Sequence, residues 1–239
     1  MGERRKEAYR VGSDRRVRLQ FHGAKVGSDG GLIPYRDLDD ACDLTTRGAQ
    51  QLFDFRTGSN IRHDMTALLR QSIYSRLAGY EDVNDAQRLS VDPVMRQIVG
   101  GRAVEKQAAS TSQVGRFETD VLTDPKNLDA LMAMPGQWVQ RVAQRRPIKK
   151  LILDLDSSVS ETYGQQEGTV YNGHFMCTCY HPLFLFNQDG DVERALLRPG
   201  NVHSANGWRS VLEPVVERYV SEDIAKYFRG DAAFAQPEI

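Results

Sequence analysis

Long apolar runs are missing from this sequence. No stretch of the 239 residues approaches the roughly 18 consecutive apolar residues that a membrane-spanning helix needs, and the opening MGERRKEAYR holds no apolar stretch of the kind a secretory signal carries. Neither a membrane partner nor export is therefore expected. Cysteine is scarce as well: Cys42, Cys177 and Cys179 are odd in number and fit no disulfide framework, which agrees with a reducing compartment. Cys177 and Cys179 stand two apart on an apparent strand and share a face, but no second Cys or His pair follows at zinc spacing, so no metal is expected on them. Internal repeats and low-complexity segments are also lacking.

What is there is the material of a globular protein. Hydrophobic residues make up 40% and charged residues 26%, enough to bury a core in one large or two small domains. The formal net charge of -1 hides an asymmetry: residues 1–150 carry 25 Lys and Arg against 19 Asp and Glu, whereas residues 151–239 carry 6 against 13. A basic part beside an acidic part suits a chain that meets a polyanion with one and cations with the other, although ordinary solvated surfaces can be as uneven.

Residues 1–31 read as a basic arm with one short strand in RVRLQF. From 32 to 148 the signals are helical. Ile61, Met65, Leu68, Leu69, Ile73 and Leu77 recur at spacings of three and four, with Asn60 placed to cap the helix and Gly79 to end it. Asp92-Pro93 opens a short helix that stops at Gly100-Gly101, and Asp124-Pro125 opens another. Between them, STSQVGRFE groups Ser, Gln and Arg116 as the start of a DNA-contacting helix often does, or simply forms a connecting helix. The basic run RVAQRRPIKK supplies Arg141, Arg145 and Arg146 as further candidates for DNA contact.

After that run the period changes from near four to near two, which places a domain boundary at 148–149. LILDLD reads as a buried strand ending in acids, and HFMCTCYHPLFLF and VERALLR as a long hairpin about Asn187-Gln188-Asp189-Gly190. A helix follows from Ser204 to about Val220 with Trp208, Val211, Leu212, Val215, Val216 and Tyr219 on its apolar face, and then a short strand, KYFRGD, ending at Asp231. Asp154 and Asp156 point the same way from one strand, so a cation is expected near them. If strand, helix and strand form a crossover, the last strand returns parallel to the first and brings Asp231 to Asp156, an oxygen-ligand pair suited to Mg2+ or Mn2+. His174, His181 and His203 fit packing or capping roles better than chemistry.

The stretch LILDLDSSVSETYGQQEGTVYNGHFMCTCYHPLFLF, the later RALLRPGNVHSANG and RGDAAFAQPEI, and the helical IRHDMTALLRQSIYSRLAGYEDVNDAQRLSVDP closely resemble, in order, blocks of insertion-sequence DDE transposases of the family numbered thirteen-eighty. The resemblance implies an α/β protein: a helical DNA-binding region at 32–148, followed at 149–239 by the first part of an RNase H-like catalytic core with a mixed sheet. It makes Asp156 and Asp231 the first two catalytic, metal-holding acids, implies Mg2+ or Mn2+ as cofactor, and finds no counterpart of the third acid, a Glu, before Ile239. Ser158, where the family usually has Thr, and Met176 to Cys179, often Gly-rich there, are small departures. The implied activity is strand cleavage and transfer at terminal inverted repeats of a bacterial insertion sequence, with duplex element ends and target DNA as partners, self-association on DNA, and a cytoplasmic, nucleoid-associated location. A chain lacking the Glu is expected to be inactive alone. The alternative is a non-catalytic DNA-binding fragment that recognises element ends or inhibits the full-length transposase.

Overall fold

The computed structural model describes residues 9–19, 28–57 and 61–239. Arg4, Arg5 and Lys6 of the basic arm, the end of RVRLQF, and the cap expected at Asn60 lie outside the described residues. The chain divides into two compact units, Met1–Ala130 and Leu131–Ile239. The division falls inside a helix, whereas the change of sequence period stands at 148–149.

The described part of the first unit begins with a miniature antiparallel pair, β1 (Tyr9–Arg10) and β2 (Arg18–Leu19), and its other described elements are helices. Its helices are α1 (Ile33–Cys42), α2 (Leu44–Gln51), α3 (Met65–Leu77), α4 (Ala86–Leu89), α5 (Pro93–Val99), α6 (Arg102–Glu105) and α7 (Thr111–Arg116). A π turn, Phe117–Val121, continues α7, and α8 (Pro125–Ala143) carries the division between the units. The start signals act as the sequence reading has them: Asp92 accepts from the Met95 N–H at 2.8 Å ahead of Pro93, and Asp124 from Lys126 N–H at 2.8 Å ahead of Pro125. Gly79, at φ 84, ends α3 by letting Tyr80 N–H reach Ser75 O at 2.9 Å.

The start of α3 is not where the apolar spacing puts it. Asp64, not Asn60, is the cap, accepting from Ala67 N–H at 2.7 Å, so Ile61 stands before the helix and is exposed. The buried side of α3 is also less apolar than expected. Leu77 is exposed, while Arg70, Gln71 and Ser72 are buried beside Leu68, Leu69 and Tyr74. Neighbouring segments surround α3, and its polar side chains are buried because each finds partners. Arg70 reaches Asp39 and the Thr45 hydroxyl from α1 and α2, and Val99 O from α5. Gln71, fully buried, clasps both backbone groups of Ala109, donating to the carbonyl at 2.7 Å and accepting from the N–H at 2.7 Å. Asn127 does the same for Phe53 and also donates to Val121 O at 2.7 Å. These amides satisfy loop backbone that no strand or helix would otherwise pair.

The second unit is a mixed α/β domain. Its main sheet has the order β8 (Val192–Leu196), β7 (Leu183–Phe186), β3 (Lys150–Ser157), β9 (Ala225–Gly230), with β9 parallel to β3 and the other neighbours antiparallel. Helix α9 (Trp208–Arg218) connects β8 to β9, and the parallel return expected of such a crossover is present. Leu151, Leu153 and Leu155 alternate into a core with Leu183, Leu185, Val211, Leu212, Val215, Tyr219 and Phe234. Each buried leucine of this kind contributes about 1.5–3 kcal/mol against leaving it in water.

Two expectations need correction here. HFMCTCYHPLFLF is not one long strand: it breaks at His181-Pro182 into β6 (Cys177–Tyr180) and β7. β6 belongs to a separate sheet between β4 (Ser160–Glu161) and β5 (Val170–Asn172), because Pro182 has no N–H to continue a ladder and its carbonyl instead accepts from Ser158 N–H at 3.0 Å. His174 to Met176 form a turn, with Met176 at φ 55 and the Asn172 side chain accepting from His174 and Phe175 N–H. The last helix is shorter than Ser204 to Val220, and Val216 is exposed, not on its apolar side.

Replacing Gln71 by Leu should strand the buried N–H and C=O of Ala109 and cost at least about 2 kcal/mol in urea-induced unfolding, since each unsatisfied group costs about 1–3 kcal/mol. A change under about 0.5 kcal/mol, within the range of ordinary surface substitutions, would show that the clasp does not hold the loop.

Candidate functional site

The acids sit at one end of the main sheet. Along β3 the leucines at 151, 153 and 155 face the core, so Ile152, Asp154 and Asp156 share the opposite, less buried face, with Asp156 exposed at the end. On β7, Phe186 is opposite Asp154 and Phe184 opposite Asp156, and the two rings stack at 5.7 Å between centroids on that same face. On the other side β9 runs in constant register, Tyr227 beside Ile152, Arg229 beside Asp154 and Gly230 beside Leu155. The ladder ends at Leu155 and Gly230, so Asp156 and Asp231 are the next residue of each segment, and paired strands lie roughly 4.8 Å apart. Asp231 is still extended, at φ -72 and ψ -178.

The three carboxylates differ in their partners. Asp154 is engaged by Arg229, Nη2 to Oδ2 at 2.7 Å. Asp231 uses one oxygen, Oδ1, to accept from Ala233 N–H at 2.8 Å and so starts a 3-10 turn, Ala232–Phe234. The Asp156 side chain makes no hydrogen bond or ion pair among the described residues. Gly230 matters to this arrangement, because a Cβ there would meet the Phe234 side chain at 3.1 Å, and Phe234 is the buried residue under which the turn folds.

The edge that presents Asp231 is fixed by a buried carboxylate. Register shifts at β7–β8: Arg194 pairs with Leu185 and Val192 with Phe186, leaving Glu193 as the extra residue of a bulge. Its side chain is completely buried and accepts from Arg218 at 2.7 Å, Tyr219 at 3.0 Å and Asn187 at 3.2 Å. Arg218 and Tyr219 close α9, seven and six residues before β9 begins, so this ion pair sets where the chain re-enters the sheet. Burial pushes the Glu193 carboxyl above its usual range, against the opposing pull of Arg218 and the two neutral donors.

The histidines are structural in their contacts. His181 is buried with Nδ1 at 3.1 Å from Val202 O, and His203 Nδ1 accepts from Ala205 N–H at 3.2 Å. Cys177 and Cys179 are free thiols on β6. Among the described residues no three His, Cys, Asp or Glu side chains form a metal-holding group.

The four arginines proposed for DNA contact belong to different units. Arg116 is exposed on α7 in the first unit, its Nε donating to Ser112 O at 3.1 Å. Arg141, Arg145 and Arg146 belong to the second unit, where Arg146 lines a cavity of 590 Å³ with Asn187, Asp189 and Asp191. Sequence reading missed Arg62, Arg102 and Lys106, which border a cavity of 730 Å³ with Arg116. They come from separate segments, and no spacing in the chain marks them as a group.

The family model for the transposase DDE domain group 1 matches residues 9–239, which is nearly the whole chain. The chain belongs to this family of DDE transposases. No curated protein and no solved structure matches it. No described helix is long and apolar enough to cross a membrane.

Truncating Glu193 to Ala should leave Arg218 as an uncompensated, nearly buried cation and cost about 3–5 kcal/mol in urea unfolding at pH 7. A carboxyl whose pKa is raised by folding stabilises the native state below its unfolded value, about 4.3, and that contribution is lost as pH rises through the folded value. The wild type should therefore gain stability relative to Glu193→Gln as pH is lowered from about 7 towards 4.3. A difference that stays flat across that window would contradict the burial-driven rise.

Proposed function

We propose that this chain is the DNA-binding and metal-holding part of an insertion-sequence transposase, acting on terminal inverted repeats. In this reading the sheet β8-β7-β3-β9 is the first part of an RNase H-like core, and Asp156 and Asp231 are its first two catalytic acids. The single observation that carries it is the unbroken parallel register of β3 and β9 through Leu155 and Gly230, the residues that directly precede two exposed acids. Oxygen ligands on an exposed edge fit Mg2+ or Mn2+: Asp156 has no competing partner, and Asp231 keeps Oδ2 free of the turn it caps. When bound, divalent cations polarise the scissile phosphate and activate water or a 3'-hydroxyl for in-line attack. The chain's own residues bind and orient. Asp154, held by Arg229, stays one pleat back as a positioning group, and Arg229 offsets part of the negative charge that the acids would otherwise concentrate.

The helical region 32–148 is the DNA-binding part in this reading, with Arg116, Arg141, Arg145 and Arg146 contacting duplex phosphates. A second reading, DNA binding without cleavage by this chain, is favoured by one observation. No third His, Cys, Asp or Glu is grouped with the two acids among the described residues, whereas holding two cations would take three such residues.

Mn2+ should raise the thermal midpoint of the wild type in a saturable way, and both Asp156→Ala and Asp231→Ala should abolish that rise. In the same preparations, element-end duplexes should be bound but not cut with Mg2+ or Mn2+, because two carboxylates cannot fix two ions. Equal Mn2+ stabilisation in both variants would rule out the acid pair. Cleavage by the wild type that disappears in Asp156→Ala would show that another group completes the clamp.

A further inference from the structure

The first unit contains a cationic concavity that the reading above leaves without a role. It is a cavity of 730 Å³ bordered by Arg62, Arg102, Lys106, Arg116 and the buried His63, with no Asp or Glu in its lining. We propose that this concavity seats backbone phosphates of duplex DNA, with Arg62, Arg102 and Lys106 as the principal cations and Arg116 at its rim. This rests on the DNA-binding reading and deepens it by naming the seat.

The pairing pattern sets these side chains apart from most arginines of the unit, and their convergence on one hollow sets them apart from the rest. Seven other arginines of the unit are matched with carboxylates, Arg16 with Asp14, Arg36 with Asp40, Arg47 with Asp43, Arg56 with Asp54, Arg70 with Asp39, Arg76 with Glu118 and Arg88 with Asp85. Arg96 donates to the carbonyls of Ala103 and Val104, and Arg10, Arg15 and Arg18, on and between β1 and β2, make no side-chain ion pair among the described residues. The side chains of Arg62, Arg102 and Lys106 make no ion pair or hydrogen bond among the described residues, and that of Arg116 bonds only a backbone carbonyl. Four like charges converging on one hollow repel one another unless an anion joins them. The field they make is felt locally: burial first, then Arg102, pushes the His63 imidazole below its usual value. Its neighbour in the chain, Asp64, is spent on capping α3.

The seat is also rigidly presented. Gly100 and Gly101, at φ 78 and 54, turn α5 directly into α6 and put Arg102 at its start. The Gln71 clasp holds Ala109, and the capping box of Ser110 and Gln113 starts α7 immediately after it. Ser112 and Gln107 add neutral donors to the lining. Fixed cations with neutral donors between them are what a phosphodiester backbone pairs with, and long exposed arginines lose little by extending to meet it.

The test is binding of the 239-residue chain to a fluorescent duplex by anisotropy over a salt series. With three contacts removed, the R62Q/R102Q/K106Q variant should lower the salt exponent by about 2.7, at about 0.9 per phosphate, and weaken binding by about tenfold or more at low salt. Arg47→Gln, which removes a paired arginine elsewhere, should keep the wild-type exponent, as should R62K/R102K, which preserves charge. Thermal melts of all variants check folding, and the charge-preserving variant separates a charge effect from a damaged fold. A wild type without salt-dependent duplex binding overturns both the seat and the DNA-binding reading. A wild type that binds while the triple variant keeps its exponent, or R62K/R102K that loses as much as the triple variant, overturns the seat alone.

Discussion

The carboxylate of Glu193 has no access to water, and its ion pair with Arg218 is the constraint on which the acid edge depends. A buried charge is tolerable only if it is paired and its remaining lone pairs are met, and Arg218, Tyr219 and Asn187 together do this. The bulge at β8 is what turns Glu193 inward, and the donors that answer it lie at the end of α9 and in the turn after β7. Helix, turn and strand are thereby fixed to one another at a single point. β9 follows a few residues later and has little freedom over where it joins β3. The placement of Asp231 one step beyond Gly230 is thus a downstream consequence of a polar contact in the interior.

The first unit uses the same device, with neutral amides beside one buried ion pair. Its short helices, several of them a single turn, cannot pair all of their connecting backbone, and isolated helices of that length are marginal in water. Buried Gln71 and Asn127 supply the missing hydrogen bonds, and Arg70 ties α1, α2 and α5 to α3. Tertiary polar contacts take over the stabilisation that local propensity does not provide. The cationic hollow lies on this framework, so the positions of Arg102 and Arg116 follow from backbone that side chains of α3 hold in place.

The chain belongs to a DDE transposase family, and the proposed acid pair stands at one end of the second unit's main sheet. The family relationship concerns nearly the whole chain, while the geometry concerns two residues and the ladder that ends just before them. Asp154 illustrates how the structure separates roles that look alike in sequence. It shares a strand face with Asp156, yet Arg229 from the neighbouring strand neutralises it and leaves Asp156 as the unengaged acid.

Much of this was legible in the chain itself. The Asp-Pro pairs at 92–93 and 124–125 start helices wherever they stand, because a capping carboxylate and a preset φ act locally. The alternation of LILDLD fixes which side chains share a face, and a strand, a helix and a strand in succession imply a parallel return; both follow from chain geometry alone. Contacts distant in sequence decided the rest. Asp64 caps α3 because packing selects one of several polar candidates near its start. Arg70 and Gln71 are buried because their partners come from 31 and 38 residues away. HFMCTCYHPLFLF reads as one strand by propensity, but Pro182 ends one ladder and the next half pairs with a different sheet. Arg62, Arg102, Lys106 and Arg116 carry no common motif, since a shared hollow is a property of the folded surface and leaves no period in the sequence.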